Sequence, residues 1–216
     1  MKKLLVVIFV LFPVSLCFAA GQRNSLDLGA GWHRMQQSHE GDAVTIPSFA
    51  VNFAGTTFFT DTIGIGAYGN FLFPREARIS VMGYSMTLNR SAFDTLTGFD
   101  LLAGPVFMLF NNGTFSLPLA AGVYWSHLGS SASVSLLGFN ASASARSNQV
   151  GLGANLSGEY HLSQNIYLFG RFHFAVGLYG WGTTSGTSPL GTVTFSESGF
   201  TSTITAAPSA GIGFRW

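Results

Sequence analysis

At 216 residues the chain is sized for one small domain, yet only 9% of it is charged while 47% is hydrophobic and 14% aromatic. Soluble domains carry roughly a quarter of their residues charged, so this composition argues against a solvated globule. A formal charge of +1 also lacks the basic surplus expected of a nucleic-acid-binding surface.

The first segment reads as an export signal. Lys2 and Lys3 precede an apolar run over 4–11, and Cys17-Phe18-Ala19-Ala20 forms a small-residue cleavage site. Residues 1–20 are therefore expected to be removed, with the cut after Ala20 or, as the alternative, after Ala19. The sole cysteine, Cys17, leaves with them, so the mature chain is held together without disulfides. Losing both lysines takes ten basic residues to eight, all Arg, against nine acids, a formal charge of −1. No mature segment offers the ~18 unbroken apolar residues of a membrane helix.

What the mature chain offers instead is alternation. In 25–35, Leu26, Leu28, Ala30 and Trp32 share one face and Asp27, Gly29, Gly31 and His33 the other. The segment 47–59 sets Phe49, Val51, Phe53 and Phe59 against Ser48, Asn52 and Thr56. From Ile63, after a turn at Thr60-Asp61, Ile65, Ala67, Phe71 and Phe73 oppose Gly64, Gly66, Tyr68 and Asn70. Over 97–110 Phe99, Leu101, Ala103, Phe107 and Leu109 oppose Asp100, and Asn111-Asn112-Gly113 then signals a hairpin. Three further zigzags run from Phe115 to Ser126, over 149–162 and from Ile166 to Tyr179, with a turn at Ser163-Gln164-Asn165.

The last strand settles the orientation. Ile204, Ala206, Pro208, Ala210, Ile212, Phe214 and Trp216 alternate with Thr205, Ala207, Ser209, Gly211, Gly213 and Arg215. A water-facing row would be rich in Lys and Glu, whereas the second row is mostly small. The apolar row is thus expected to face lipid and the small row a narrow interior. An open edge in a bilayer would leave backbone groups unpaired at several kcal/mol each, so the strands must close. The expected fold is all-β: an eight-stranded antiparallel transmembrane barrel over 21–216. It has short periplasmic turns and four long extracellular loops, over 36–45, 74–96, 129–148 and 180–202. The middle of the second loop, 79–88, alternates and is expected to extend the flanking strands.

With its leader, eight amphipathic strands and terminal Gly-Ile-Gly-Phe-Arg-Trp, the chain resembles the small eight-stranded outer-membrane proteins, the OmpW-like group and more loosely the OmpX-like group. The resemblance implies a place in the bacterial outer membrane. It also implies that Ile212, Phe214 and Trp216 are read by the barrel-insertion machinery, and that small hydrophobic molecules are bound or passed.

An eight-stranded barrel has room only for its own side chains or one small ligand. Asp27 and Arg215 fall at the periplasmic ends of neighbouring strands, and Glu159 lies diagonally across a hairpin from Arg171. These four charges, with inward Phe58, Phe110, Tyr167 and Phe169, are expected to plug the periplasmic half. Above them a pocket open to the outside would be walled by His33, Tyr68, Asn70, Tyr124 and His173, among glycines that otherwise serve only to relieve crowding. The competing reading is a surface protein binding host or environmental ligands through its loops, with the barrel as anchor. Catalysis is not expected: His127 beside Ser126 is the nearest candidate, with no carboxylate adjacent in sequence. The five histidines show no metal-ligand spacing, and no cofactor is implied.

Overall fold

A computed structural model describes residues 23–39, 42–81, 83–136, 139–189 and 191–216; the expected leader, 1–20, lies outside them. Ten strands follow in order: β1 (Arg23–His39), β2 (Asp42–Phe58), β3 (Ile63–Pro74), β4 (Glu76–Val81), β5 (Tyr84–Asn89), β6 (Thr95–Asn111), β7 (Phe115–Leu136), β8 (Phe139–His161), β9 (Ile166–Ser188) and β10 (Gly191–Arg215). Eight of them form the ring β1-β10-β9-β8-β7-β6-β3-β2, which the β1–β2 pairing closes. Backbone bonds between Asn24 and Trp216 fasten the first strand to the last residue. Among the described residues no barrel edge is left within the apolar belt, which meets the bilayer's demand that backbone groups be paired.

The pleat sorts side chains as the alternation requires. Asp27, His33, Asn52, Asn70 and Asp100 are buried, while Leu28 and Trp32 are 59% and 55% exposed. Outward rings form continuous rows across strands, Trp32–Phe49–Phe73 and Phe53–Phe71–Phe99–Trp125, with successive centroids 5.3–6.5 Å apart. Exposed aromatic rows are stable only against lipid, and their amphipathic members suit the interface.

The periplasmic turns are short and locally capped. Asn112 Oδ1 accepts from the Thr114 and Phe115 amides, and Gly113 takes φ +84, a left-handed conformation that glycine adopts without steric cost. The Thr60 and Ser163 hydroxyls each accept two amides in the other two turns.

On the opposite side the four long connections are present, and most of their length is hydrogen-bonded rather than irregular. β1 and β2 stay paired to their ends, and β4–β5 is a hairpin docked on β2 through Ala43–Ser80, Val44–Ile79 and Thr45–Arg78. Strands β7 to β10, at 22–25 residues, are about twice the ~9–11 needed to cross a bilayer. They rise together as a four-stranded wall rich in Ser, Thr, Gly and Ala.

Two bulges overturn the expected facing of two aromatics. The β6–β7 register shifts between Met108 and Phe110, which puts Phe110 outside, 49% exposed and packed on Phe115. In β9, Leu178 is extra: Gly177 pairs Gly151 and Tyr179 pairs Val150, so Tyr179 turns outward beside Trp181 and Phe200. A bulge adds one residue and so inverts the parity beyond it.

Interior glycines on β6 and β7 meet closely. A Cβ on Gly122 would overlap the Ala103 carbonyl, and one on Gly104 the Ala121 carbonyl. The two strands touch backbone to backbone there, which side chains would forbid.

Candidate functional site

The lumen is stacked in three tiers. The lowest, at the periplasmic end, holds the four charges expected there, but with partners exchanged. Asp27 accepts from Arg171 and from the Tyr167 hydroxyl. Glu159 accepts from Arg215 at 2.7 Å and from Ser116 at 2.6 Å. Arg171 also donates to Ser157 at 2.8 Å and stacks 4.3 Å from the Phe169 ring centre and 5.1 Å from that of Tyr68. Each buried charge therefore has an opposite charge and further donors or rings, the condition under which burial is tolerated. Phe58, Tyr167 and Phe169 fill this tier as expected.

The middle tier gathers the expected pocket-wall residues. The Asp100 carboxylate accepts from His33 Nε2 at 2.6 Å and from Asn70, which is bonded in turn by Asn52. Tyr124 spans the lumen to hydrogen-bond Thr205 at 3.1 Å, and its ring lies 5.8 Å from that of His173. Tyr68 packs below with Ala54, Leu102 and Val106. All five candidates, His33, Tyr68, Asn70, Tyr124 and His173, are at most 5% exposed. Both nitrogens of His173 and the Asn155 and Thr203 side-chain oxygens have no protein partner among the described residues. These are the polar positions a water or small ligand would satisfy.

The upper tier contains a cavity of about 80 Å³, lined by Met35, Val44, Ile46 and Leu128 with Gln37, Ser126, Ser147 and Gln149. Its floor is the Gln149 carboxamide, donating to Met35 Sδ at 3.5 Å and seated where Gly177 lacks a side chain. Of its liners only Ser126 was singled out in sequence, and for catalysis rather than for binding. Met35 ends the inner row of the first expected strand and Ile46 falls just before the second; the two pair in the continued ladder and both face inward.

Arrangements that catalysis would need are not assembled at the expected place. Ser126 is buried inside β7 and His127 faces outward, bonded to Asn148 at 2.9 Å. At the periplasmic end Ser116 lies 2.9 Å from His161 Nε2. There the Glu159 carboxylate holds Ser116 and Arg215 instead of orienting the histidine from its other nitrogen. Among the described residues no group of His, Cys, Asp and Glu is placed to hold a metal. The outward row Ile212, Phe214 and Trp216 is accessible along β10.

No family model matches the chain, and no characterised protein matches it in sequence. Among solved structures it is similar to a major outer membrane protein of Thermus thermophilus, with a TM-score of 0.61 and 14% identity over 91% of this chain and 100% of that one. Two looser likenesses have TM-scores of 0.49: the attachment invasion locus protein Ail of Yersinia pestis, at 14% identity over 90% and 98% of the two chains, and Neisserial surface protein A, at 13% over 91% and 98%. At such identity the likeness speaks to fold, and it agrees with the closed ring and the lipid-facing rows: the chain is a small eight-stranded β-barrel of the outer-membrane type.

Proposed function

We propose that the barrel binds small hydrophobic molecules from the outer side, in the cavity above the Gln149–Met35 floor. The observation that carries this reading is the lining. Met35, Val44, Ile46 and Leu128 present an apolar concavity, with Gln37 and Gln149 as the polar groups that orient a guest. Size bounds the ligand. A dry cavity of about 150 Å³ takes a benzene-sized guest, so about 80 Å³ admits a few heavy atoms with the floor shut. Larger guests need Gln149 to swing off the weak sulfur contact. Passage onward would require the Asp100 layer and the buried charges below it to part, so binding is favoured over open conduction. The resemblance to OmpW-like proteins points the same way. Ile212, Phe214 and Trp216 are proposed as the mark read by the insertion machinery.

The test is titration of the refolded barrel with a diverse panel of small apolar compounds, followed by NMR or fluorescence. Perturbations should map to Ile46 and Leu128 and vanish in Leu128→Trp, which fills the cavity. Silence across the panel, or binding that survives Leu128→Trp, removes the pocket.

One observation favours a second reading, surface recognition: the β7–β10 wall stands beyond its neighbours, and among the described residues β10 from Gly191 to Phe200 pairs only with β9. Binding of an extracellular ligand that moves with these hairpins when they are grafted onto another barrel would support it.

A further inference from the structure

A second hollow lies on the outside of the barrel. It measures about 470 Å³ and is lined by Thr95, Thr97, His127, Gly129, Ser131 and Arg146, among others. All of its liners but Ser130 and Ala145 have the parity of the lipid-facing row: Thr97 stands two residues above Phe99, and His127 two above Trp125, the end of the longest aromatic row. The hollow therefore opens sideways, just where apolar wall gives way to hydroxyls, which is the level of lipid headgroups.

Its shape follows from sequence. Gly129 pairs with Arg146 across β7–β8, and the missing side chain leaves a gap beside the guanidinium. His127 borders that gap: its Nδ1 is bonded to Asn148 Oδ1 at 2.9 Å, and its Nε2 lies 3.6 Å from where a Gly129 Cβ would be. The Thr95 and Ser131 hydroxyls, 2.7 Å apart, close the far side. Arg146 has no ion-pair or hydrogen-bond partner among the described residues, although Arg23, Arg78, Arg171 and Arg215 all have acidic partners. A fork of five donors, a ring nitrogen and a row of hydroxyls fit a phosphate carried on a sugar.

We propose that this hollow is a binding site for the phosphorylated sugar headgroup of an outer-leaflet lipid, with Arg146 as the anion contact and His127, Thr95 and Ser131 as its hydrogen-bonding surround. A lipid held there would use the aromatic row below for its acyl chains and would fix the rotational position of the barrel in the leaflet. The site lies on the outer face of strands whose inner face lines the pocket: His127, Gly129 and Arg146 alternate with Ser126, Leu128 and Ser147.

The test uses the refolded full-length mature barrel in phosphatidylcholine nanodiscs, with bisphosphorylated lipid A as probe. Arg146 is exposed, so Arg146→Ala should fold, which heat-modifiable gel migration verifies. Lipid A should bind wild type roughly tenfold more tightly than Arg146→Ala, the loss expected for one charge-assisted contact. Arg146→Lys should recover part of that loss, and His127→Gln should show a smaller one. Arg34→Ala, which removes another outward arginine, should bind as wild type does. Dephosphorylated lipid A should not distinguish wild type from Arg146→Ala, and inorganic phosphate should not compete. Equal binding by wild type and Arg146→Ala, or an equal loss in Arg34→Ala, overturns the site. Competition by free phosphate, or the same Arg146 dependence with phosphatidylglycerol, overturns the phosphosugar assignment.

Discussion

Asp27 on the first strand and Arg171 on the ninth meet across the floor of the lumen, although Arg215 on the last strand begins nearer to Asp27 in the ladder. The tilt of barrel strands sets this choice. Ser25, not Asp27, is level with Arg215, so Arg215 turns to Glu159 and leaves Asp27 to the guanidinium that stacks on Phe169. Double-mutant cycles in denaturant-unfolding experiments should give coupling of roughly 0.5–3 kcal/mol for Asp27 with Arg171 and for Glu159 with Arg215. The crossed combinations should couple more weakly, and the reverse ranking would refute the pairing. Asp27→Ala alone should cost roughly 3–5 kcal/mol, since it strands a buried guanidinium.

The middle tier makes an asymmetric prediction. Asp100→Leu removes the acceptor of both His33 and Asn70 and should cost at least about 2 kcal/mol. His173→Phe removes two ring nitrogens with no hydrogen-bond partner among the described residues and keeps the ring contact with Tyr124, so it should be neutral or stabilise by up to about 1 kcal/mol. Urea unfolding of the two variants in micelles checks both signs. A large loss in His173→Phe would mean that the ring holds the layer together.

Close strand contact at Gly104 and Gly122 predicts that Gly122→Val blocks folding, because the added Cβ overlaps the opposite backbone. Gly170→Ala, with open space around its Cβ, should stay within about 0.5 kcal/mol of wild type. The fraction running as a compact band on unheated gels reads this directly. A folded Gly122→Val would show that the strands can separate there.

The bulges predict that single cysteines at 110 and 179, labelled with a fluorophore, are quenched by brominated lipid, whereas one at Met108 is quenched less. Quenching in the opposite order would restore the unbulged parity.

The bilayer-spanning part of this fold was legible because lipid on one side and a cramped interior on the other force a strong contrast between successive side chains, as along Ile204 to Trp216. Contrast fades where both faces meet water. From Gly129 to Asn148 and from Gly180 to Ser202 small and hydroxyl residues suit either face, so the ladder there reads as loop. Bulges are equally silent: nothing in Val106-Phe107-Met108-Leu109-Phe110 announces the extra residue, and the facing of Phe110 was lost with it. The four buried charges could be assigned to one end from their strand positions, but who pairs with whom depends on tilt around the closed ring, which alternation does not encode. Arg146 was hidden for a similar reason, since its hollow exists only when Gly129 is laid beside it.

The claim on which the rest depends is that the apolar row of each strand meets lipid. A cysteine scan of β10 from Ile204 to Phe214 in the reconstituted barrel, spin-labelled at each position, measures it through collision with oxygen in the lipid phase and a nickel chelate in water. Positions 204, 206, 208, 210, 212 and 214 should be oxygen-accessible, with the intervening positions shielded from oxygen, in a period of two. Oxygen accessibility at the odd positions, or no alternation at all, would contradict it.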